Sequence, residues 1–402
     1  MSSSLTRFAP ELDARVVGRL RPHPRSAELP LVAPRTRDEL VECLRAAHRD
    51  GLALVPCGRG SKLAWTQPPE RADFVLSVRE LSGFTAHEPD DGTISVLAGT
   101  TLADLRAKAR VGGHWCTPDL PQPTRATIGG ALALGRSGSD RTRYAPLRNH
   151  VLGMSVVLAD GTVAKSGGKL VKNVTGYDLH RLYTGSHGTL AVIVEAALRL
   201  FPAPESEAWF EREFASFTDA LAAARAVADL PVRWLALSLV RARGRWRACG
   251  RLAGKHAVVE HEVGLVRATL GEPTARDGAA AERADALRDA APSTQTSFAR
   301  IACRPSRVAE VVRMLDLEHT VADATIEPTI ASLEFALAGD ARALAAHREL
   351  LAKRGASLHL VAPDSDAVPF DAPGPELALM HRLKQRLDPQ GVFARGRFVG
   401  GL

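Results

Sequence analysis

Apolar positions in the first half of the chain alternate between helical and strand spacing. In "TRDELVECLRAAHRDG" (36–51), Leu40, Cys43, Leu44 and Ala47 recur at helical intervals before a closing glycine, and "LALVPCG" follows as a short buried strand. "DFVLSV" (73–78) and "TISVLAG" (93–99) read as further strands, and "TLADLRAKAR" (101–110) as a helix opened by Thr100 or Thr101. "HVLGMSVVLADGTVAKSGG" (150–168) predicts two strands joined at Asp160-Gly161, a hairpin signal, and "TLAVIVEAALRLFP" (189–202) ends this half as a long strand.

Pro202 and Pro204 break the pattern, and the composition then shifts to Ala and Arg. The second half predicts helices over 216–229, 255–270, 306–316 and 341–354. Between them fall a hairpin around Arg243-Gly244 and strands over 297–303, 330–338 and "SLHLVAP". That order fits helices laid on one face of an antiparallel sheet, an α+β arrangement. The Ala-rich, charged segment 273–293 suits either a helix or an excursion from the fold. A final helix, "ELALMHRLKQRLDP", leads into "QGVFARGRFVGGL", and there is no internal repeat.

A chain of 402 residues predicts two hydrophobic cores. No uninterrupted apolar run approaches the roughly 20 residues of a spanning helix, so no direct membrane insertion is expected. The opening "MSSSLTRFAPELDARVVGRL" lacks an apolar core followed by a small-residue cleavage site, which makes the cytoplasm the expected location. The formal charge of +7 comes from arginines scattered among acids, with few aromatics, and argues for a solvated surface rather than a nucleic-acid partner. Cysteines 43, 57, 116, 249 and 303 are too widely spaced for C-x-x-C motifs and read as core residues of a reduced protein with no metal or cluster of its own.

Three glycine-rich stretches carry the candidate chemistry. In "VPCGRGSKL" (55–63), Gly58 and Gly60 flank Arg59, with Ser61 and Lys62 next; this is either an amide nest for a diphosphate or a tight turn between strands. A third glycine is missing from the dinucleotide fingerprint, and G-x-x-x-x-G-K-[ST] does not occur, which disfavours a standard Rossmann domain or a P-loop. In "PDLPQPTRATIGGALALGRSGSDRTRY" (118–144), Thr127 and Gly129-Gly130 open a short helix whose free N–H donors could face a phosphate or carbonyl oxygen. The third stretch, "KLVKNVTGYDLHRLYTGSHGTL" (169–190), predicts a short helix from Gly176 to Tyr183 with Tyr177, Leu179 and Leu182 inward. There Asp178 and Asn173 fix turns, and Lys169 and Lys172 lie near an anionic cofactor or in solvent.

Taken in order, "PCGRGSKL", "ATIGG", "VLADGTVAKSGGKLVKNVTGYDLHRLYTGSHGTLAVIVEAALRL" and "LKQRLDPQGVFARGR" resemble the FAD-binding domain shared by vanillyl-alcohol oxidase, p-cresol methylhydroxylase and the D-2-hydroxyacid dehydrogenases. Within that PCMH-type superfamily the pattern looks most like the E-type, FAD-binding subunit of bacterial glycolate oxidase. The resemblance implies an N-terminal extension at 1–27, a two-subdomain FAD-binding domain at 28–203, a smaller cap domain at 204–374, and a C-terminal helix and tail at 375–402 that returns to the FAD domain.

It also implies site roles. The amides of Gly58, Arg59, Gly60, Ser61 and Lys62 would cradle the pyrophosphate. Pro118, Thr127, Gly129 and Gly130 would line the flavin and its ribityl chain, Ser137 and Gly138 would continue that wall, and Gly188 with the backbone of Ile193 would sit on the nucleotide. Ser61 and Lys62 stand where some members attach FAD through a histidine, so noncovalent FAD is expected.

Catalytic members carry a run of the type His-x-Gly-x-x-His in the cap. Here His256, His261, His319, His347, His359 and His381 do not form that pattern, and no catalytic residue is assigned. "FARGRF" replaces the family's Phe-Asn-Pro-Gly-Arg, leaving Arg397 either to tie the terminus to the FAD domain or to lie on the surface. The implied function is oxidation of glycolate or a similar 2-hydroxyacid. Its partners would be a catalytic FAD-containing hydroxyacid dehydrogenase subunit and an iron-sulfur subunit, in a complex at the inner membrane face. A self-sufficient FAD oxidoreductase and a non-catalytic electron relay are the alternatives.

Overall fold

A computed structural model describes residues 10–168, 177–271, 275–276, 278–292 and 297–402. The chain divides into two compact units. The first comprises residues up to Arg136, Pro146–Pro202 and Ala372–Leu402; the second comprises Ser137–Ala145 and Ala203–Asp371.

In chain order the first unit holds β1 (Val16–Leu20), β2 (Leu29–Val32), β3 (Leu54–Cys57), β4 (Phe74–Ser77), β5 (Phe84–Glu88), β6 (Thr93–Leu97), β7 (His114–Trp115), β8 (Val151–Val157), β9 (Val163–Gly167), β10 (Val192–Arg199) and β11 (Phe201–Pro202). Two main sheets result, ordered β1-β2-β4-β3 and β5-β6-β10-β8-β9. In the first sheet, β4 pairs in parallel with both β2 and β3. Such pairing requires a crossover, supplied by the helix Arg37–Arg49. Thr36 caps that helix by accepting from the Glu39 amide, and its buried stripe of Leu40, Cys43, Leu44 and Ala47 packs on the sheet as the spacing predicts. The second sheet is antiparallel throughout. Its predicted hairpin closes where the Thr162 amide donates to Asp160 Oδ1 at 2.8 Å.

The C-terminal tail completes the first unit. Leu54 N donates to Val392 O at 2.7 Å and Ala394 N donates to Leu54 O at 2.9 Å, which adds the tail beside β3. Ala394 then packs with Leu31, Val55 and Val75 on the sheet face opposite the helix.

The second unit is one antiparallel sheet of β12 (Ser206–Phe214), β13 (Trp234–Ala242), β14 (Arg245–Gly254), β15 (Ala275–Arg276), β16 (Phe298–Ala302), β17 (Ala324–Glu327), β18 (Ser332–Ala336) and β19 (Ser357–Val361). Their order is β15-β12-β14-β13-β17-β18-β16-β19. Strands β12 and β17 lie outside the predicted strands; β17, Ala324–Glu327, alternates buried and half-buried positions but is only four residues long. Helices Phe217–Ala228, His256–Leu270 and Val308–Met314 bury Leu221, Val263 and Val311 against one face of this sheet, where Phe210, Leu239, Trp246, Ile301 and Leu333 form the core. The predicted helix over 341–354 is two short helices, Ala341–Ala345 and Arg348–Ala352. Within segment 273–293 the helix Gly278–Asp289 packs Ala284 and Leu287 on the other face, against Trp209, Val240 and Cys249.

Candidate functional site

Strand β3 ends at Cys57, and the chain leaves the sheet through Gly58–Lys62, which lines a cleft. Gly60 adopts φ +74°, the left-handed conformation from which anion nests are built. Among the described residues, the amides of Arg59, Gly60, Ser61 and Lys62 donate to no protein acceptor, so the loop offers a row of N–H groups to the cleft it lines. Gly58 is fixed by close approach instead. A Cβ there would lie 2.0 Å from Thr127 Oγ1, and its carbonyl accepts from Ser77 Oγ at 2.6 Å.

The opposite wall is the start of the helix Ile128–Leu134. Its first amides are not free, contrary to the sequence expectation. Ile128 N donates to Thr100 O and Gly129 N to Ala98 O, both at 2.9 Å, while Gly130 N donates to Thr127 Oγ1 at 3.2 Å. These bonds staple the helix start to the chain leaving β6, so Thr127, Gly129 and Gly130 supply shape to the cleft rather than donors. The third wall is the turn before β10. Gly185 N donates to Leu132 O at 2.9 Å and His187 N to Ala133 O at 2.8 Å, which seats His187, Gly188, Val192 and Ile193 along the cleft.

Three predicted site residues lie elsewhere. Pro118 does not line the cleft; its carbonyl accepts from Arg106 Nη2 at 2.6 Å, which turns it toward the helix Leu102–Val111. Ser137 and Gly138 group with the second unit, because the chain changes units immediately after Arg136. In the third glycine-rich stretch, Lys169, Lys172, Asn173 and Gly176 are outside the described residues. The helix there spans Leu179–Tyr183 and buries His180 and Tyr183. Tyr177 is 90% exposed and Leu179 40% exposed, so neither packs inward; Ser166 Oγ holds the His180 amide at 3.1 Å, and this selects the buried face.

One residue left open by the sequence enters the site. Arg397 is 4% exposed, lines the cleft, and donates from Nη2 to Leu63 O at 3.1 Å. The sequence signal for it was its neighbour Gly396, at φ +87°, in the Gly-Arg pair of the terminal motif. Among the described residues, no Asp or Glu lines the cleft. Burial, reinforced by Arg136 and Arg125, pulls the Lys62 ammonium down to about 8, and burial pulls the Arg397 guanidinium down to about 10. Burial also pushes the Cys57 thiol up to about 11, so this cleft cysteine stays protonated and unreactive at neutral pH. Unused amides, buried Arg397, half-buried Lys62 and apolar Leu120, Ala126, Ala191 and Ile193 fit a ligand that joins a diphosphate to flat apolar rings.

The second unit has ion pairs of its own, largely buried on the sheet face away from its main core. Arg251 Nη2 lies 2.7 Å from Glu207, Arg141 Nη2 3.3 Å from Glu327, and Arg300 Nε 3.7 Å from Glu334. Burial raises the Glu327 pKa against the pull of Arg141. His359, on β19, stacks on Phe370 with ring centres 5.0 Å apart, whereas His256 and His261 are exposed on their helix.

Comparison with known proteins agrees with the chemistry of the cleft. Residues 29–167 match a family model described as FAD binding domain. The chain is 32% identical over 200 residues to glycolate oxidase subunit GlcD of Bacillus subtilis, covering 50% of this chain and 42% of that protein. It is 36% identical over 180 residues to D-lactate dehydrogenase of Archaeoglobus fulgidus, covering 44% of this chain and 40% of that protein. The match thus spans less than half the length of each of these relatives. Among solved structures, alkyldihydroxyacetonephosphate synthase superposes with a TM-score of 0.70 at 15% identity, covering 90% of this chain and 76% of that one, a likeness of fold. Residues 29–167 are thus similar to an FAD binding domain, and residues of the cleft fit that cofactor: the loop amides and cations suit the diphosphate, and the apolar wall suits the rings.

Proposed function

We propose that this chain is the noncovalent FAD subunit of an oxidoreductase that converts glycolate, or a similar small 2-hydroxyacid, to the 2-oxoacid. Two electrons and two protons leave the substrate's carbinol carbon and hydroxyl, and the electrons pass through an iron-sulfur partner. The observation that carries the reading is the loop Arg59–Lys62, whose unused amides belong to a cleft lined, among the described residues, by no carboxylate. It lies within the stretch that matches an FAD binding domain. FAD supplies the two-electron chemistry when bound. The protein's own part is to fix the cofactor: the loop donates to it, Gly58 lets loop and Thr127 approach, and the turn at His187–Gly188 closes the third side.

The 2-hydroxyacid substrate is supported by the relatives, whose names include a glycolate oxidase subunit and a D-lactate dehydrogenase. Reduction of a dye acceptor by the FAD-loaded chain should be measured with glycolate and D-lactate, alone and with a co-expressed iron-sulfur subunit and catalytic flavoprotein. The reading expects turnover in the assembled complex that is lost when this chain is omitted. Equal complex activity without this chain would sink it, and full turnover by the chain alone would favour a self-sufficient enzyme.

A further inference from the structure

The C-terminal tail places a cation in the cleft that the local chain does not satisfy. Lys384 Nζ donates to Thr189 O and Phe393 O, both at 2.9 Å, and so fixes the tail against the turn before β10. From there the chain pairs beside β3 and closes on itself, with Gly396 N donating to Gly401 O at 3.0 Å and Phe398 N to Leu402 O at 2.7 Å. Phe398 stacks on His187 with centroids 4.5 Å apart. Arg397 is held between these anchors.

Its guanidinium has one protein partner, the Leu63 carbonyl. Nε and Nη1 are buried with no hydrogen-bond acceptor among the described residues. A buried guanidinium without a carboxylate is costly, and natural folds retain one where an anion completes it. The unused amides of Arg59–Lys62 and the Lys62 ammonium line the same cleft and suit the same anion.

We infer that Arg397 is a direct ligand of the diphosphate of the bound dinucleotide, its Nε and Nη1 donating to phosphate oxygen beside the Gly58–Lys62 loop, whose next residue, Leu63, holds Nη2. The cradle is then built from both ends of the chain, and the tail becomes part of the cofactor site. The inference rests on FAD occupying this cleft and not on the identity of the oxidised substrate.

The test compares wild type, Arg397→Met and Arg397→Lys by titrating apo-protein with FAD, ADP and riboflavin and by melting the apo forms. Loss of two charge-assisted hydrogen bonds should weaken FAD and ADP by about 100-fold or more in Arg397→Met. Arg397→Lys, which keeps the charge but not the planar fork, should lose less. Riboflavin, which has no phosphate, should bind all three alike. Because the free guanidinium is uncompensated, apo Arg397→Met should melt at or above the wild-type temperature, which a merely structural arginine would not allow. Unchanged FAD affinity, an equal loss with riboflavin, or a lower apo melting temperature in Arg397→Met would each overturn the assignment. No readout involves turnover, so failure of the hydroxyacid reading would leave this result intact.

Discussion

Lys384 Nζ lies 2.6 Å from Asp388 Oδ2, one helical turn away, and both side chains are almost wholly buried. Asp388 also accepts the amides of Val392 and Phe393 at 2.8 and 2.9 Å, so the pair is the knot that bends the C-terminal helix into the tail. Burial depresses the Lys384 pKa while Asp388 opposes it, as expected of a lysine held charged by one partner.

Removing one member strands the other. Lys384→Met is expected to destabilise the first unit by about 3–5 kcal/mol in urea unfolding, whereas Lys384→Met with Asp388→Leu should recover part of that loss. A single variant as stable as wild type would contradict the role given to the pair.

Gly58 has no room for a side chain. Gly58→Ala drives a methyl to 2.0 Å from Thr127 Oγ1, and overpacking of this kind costs about 1–3 kcal/mol. FAD content of the purified variant should fall, and Thr127→Ala in the same chain should restore part of it. A fully loaded Gly58→Ala protein would show that the loop does not need this approach.

Lys62 gives the site a pH dependence with a definite sign. Its folded pKa of about 8 is below its ordinary 10.5, so between these values the unfolded chain holds a proton that the folded apo-protein lacks, and apo stability rises with pH across that window. An anion in the cleft favours the charged ammonium, so binding takes up a proton above about pH 8. The FAD dissociation constant should be flat below that pH and rise by up to about tenfold per unit above it, by fluorescence titration. Lys62→Met should flatten the profile; a flat wild-type profile would contradict the placement of Lys62.

Much of this was legible because short-range rules set it. The stripe of Leu40, Cys43, Leu44 and Ala47, the Asp160-Gly161 turn and the Thr101 and Thr127 caps all depend on neighbours within a few residues. Gly58, Gly60, Thr127 and Gly188 could be singled out because glycines and caps mark places where backbone approaches closely. Long-range partners were not legible. The donors of Ile128 and Gly129 are consumed by Thr100 and Ala98, which nothing around Thr127 announces. Arg397 meets Leu63 across 334 positions of chain. Ser137 and Gly138 look continuous with their loop, yet the chain crosses to the other unit at that point. Tyr177 and Leu179 fit an inward stripe, but the Ser166 contact with His180 selects a different face.

The central claim is that the first unit holds FAD, noncovalently, in the cleft between Gly58–Lys62 and Ile128–Leu134. The most direct test is the absorbance spectrum of the purified protein, with FAD added to any apo fraction, before and after denaturation and filtration. The account predicts flavin bands near roughly 370 and 450 nm that stay with the folded protein, reach one FAD per chain on reconstitution, and pass entirely into the filtrate on unfolding. A colourless protein that FAD cannot reconstitute, or a flavin that remains on the unfolded chain, would contradict it.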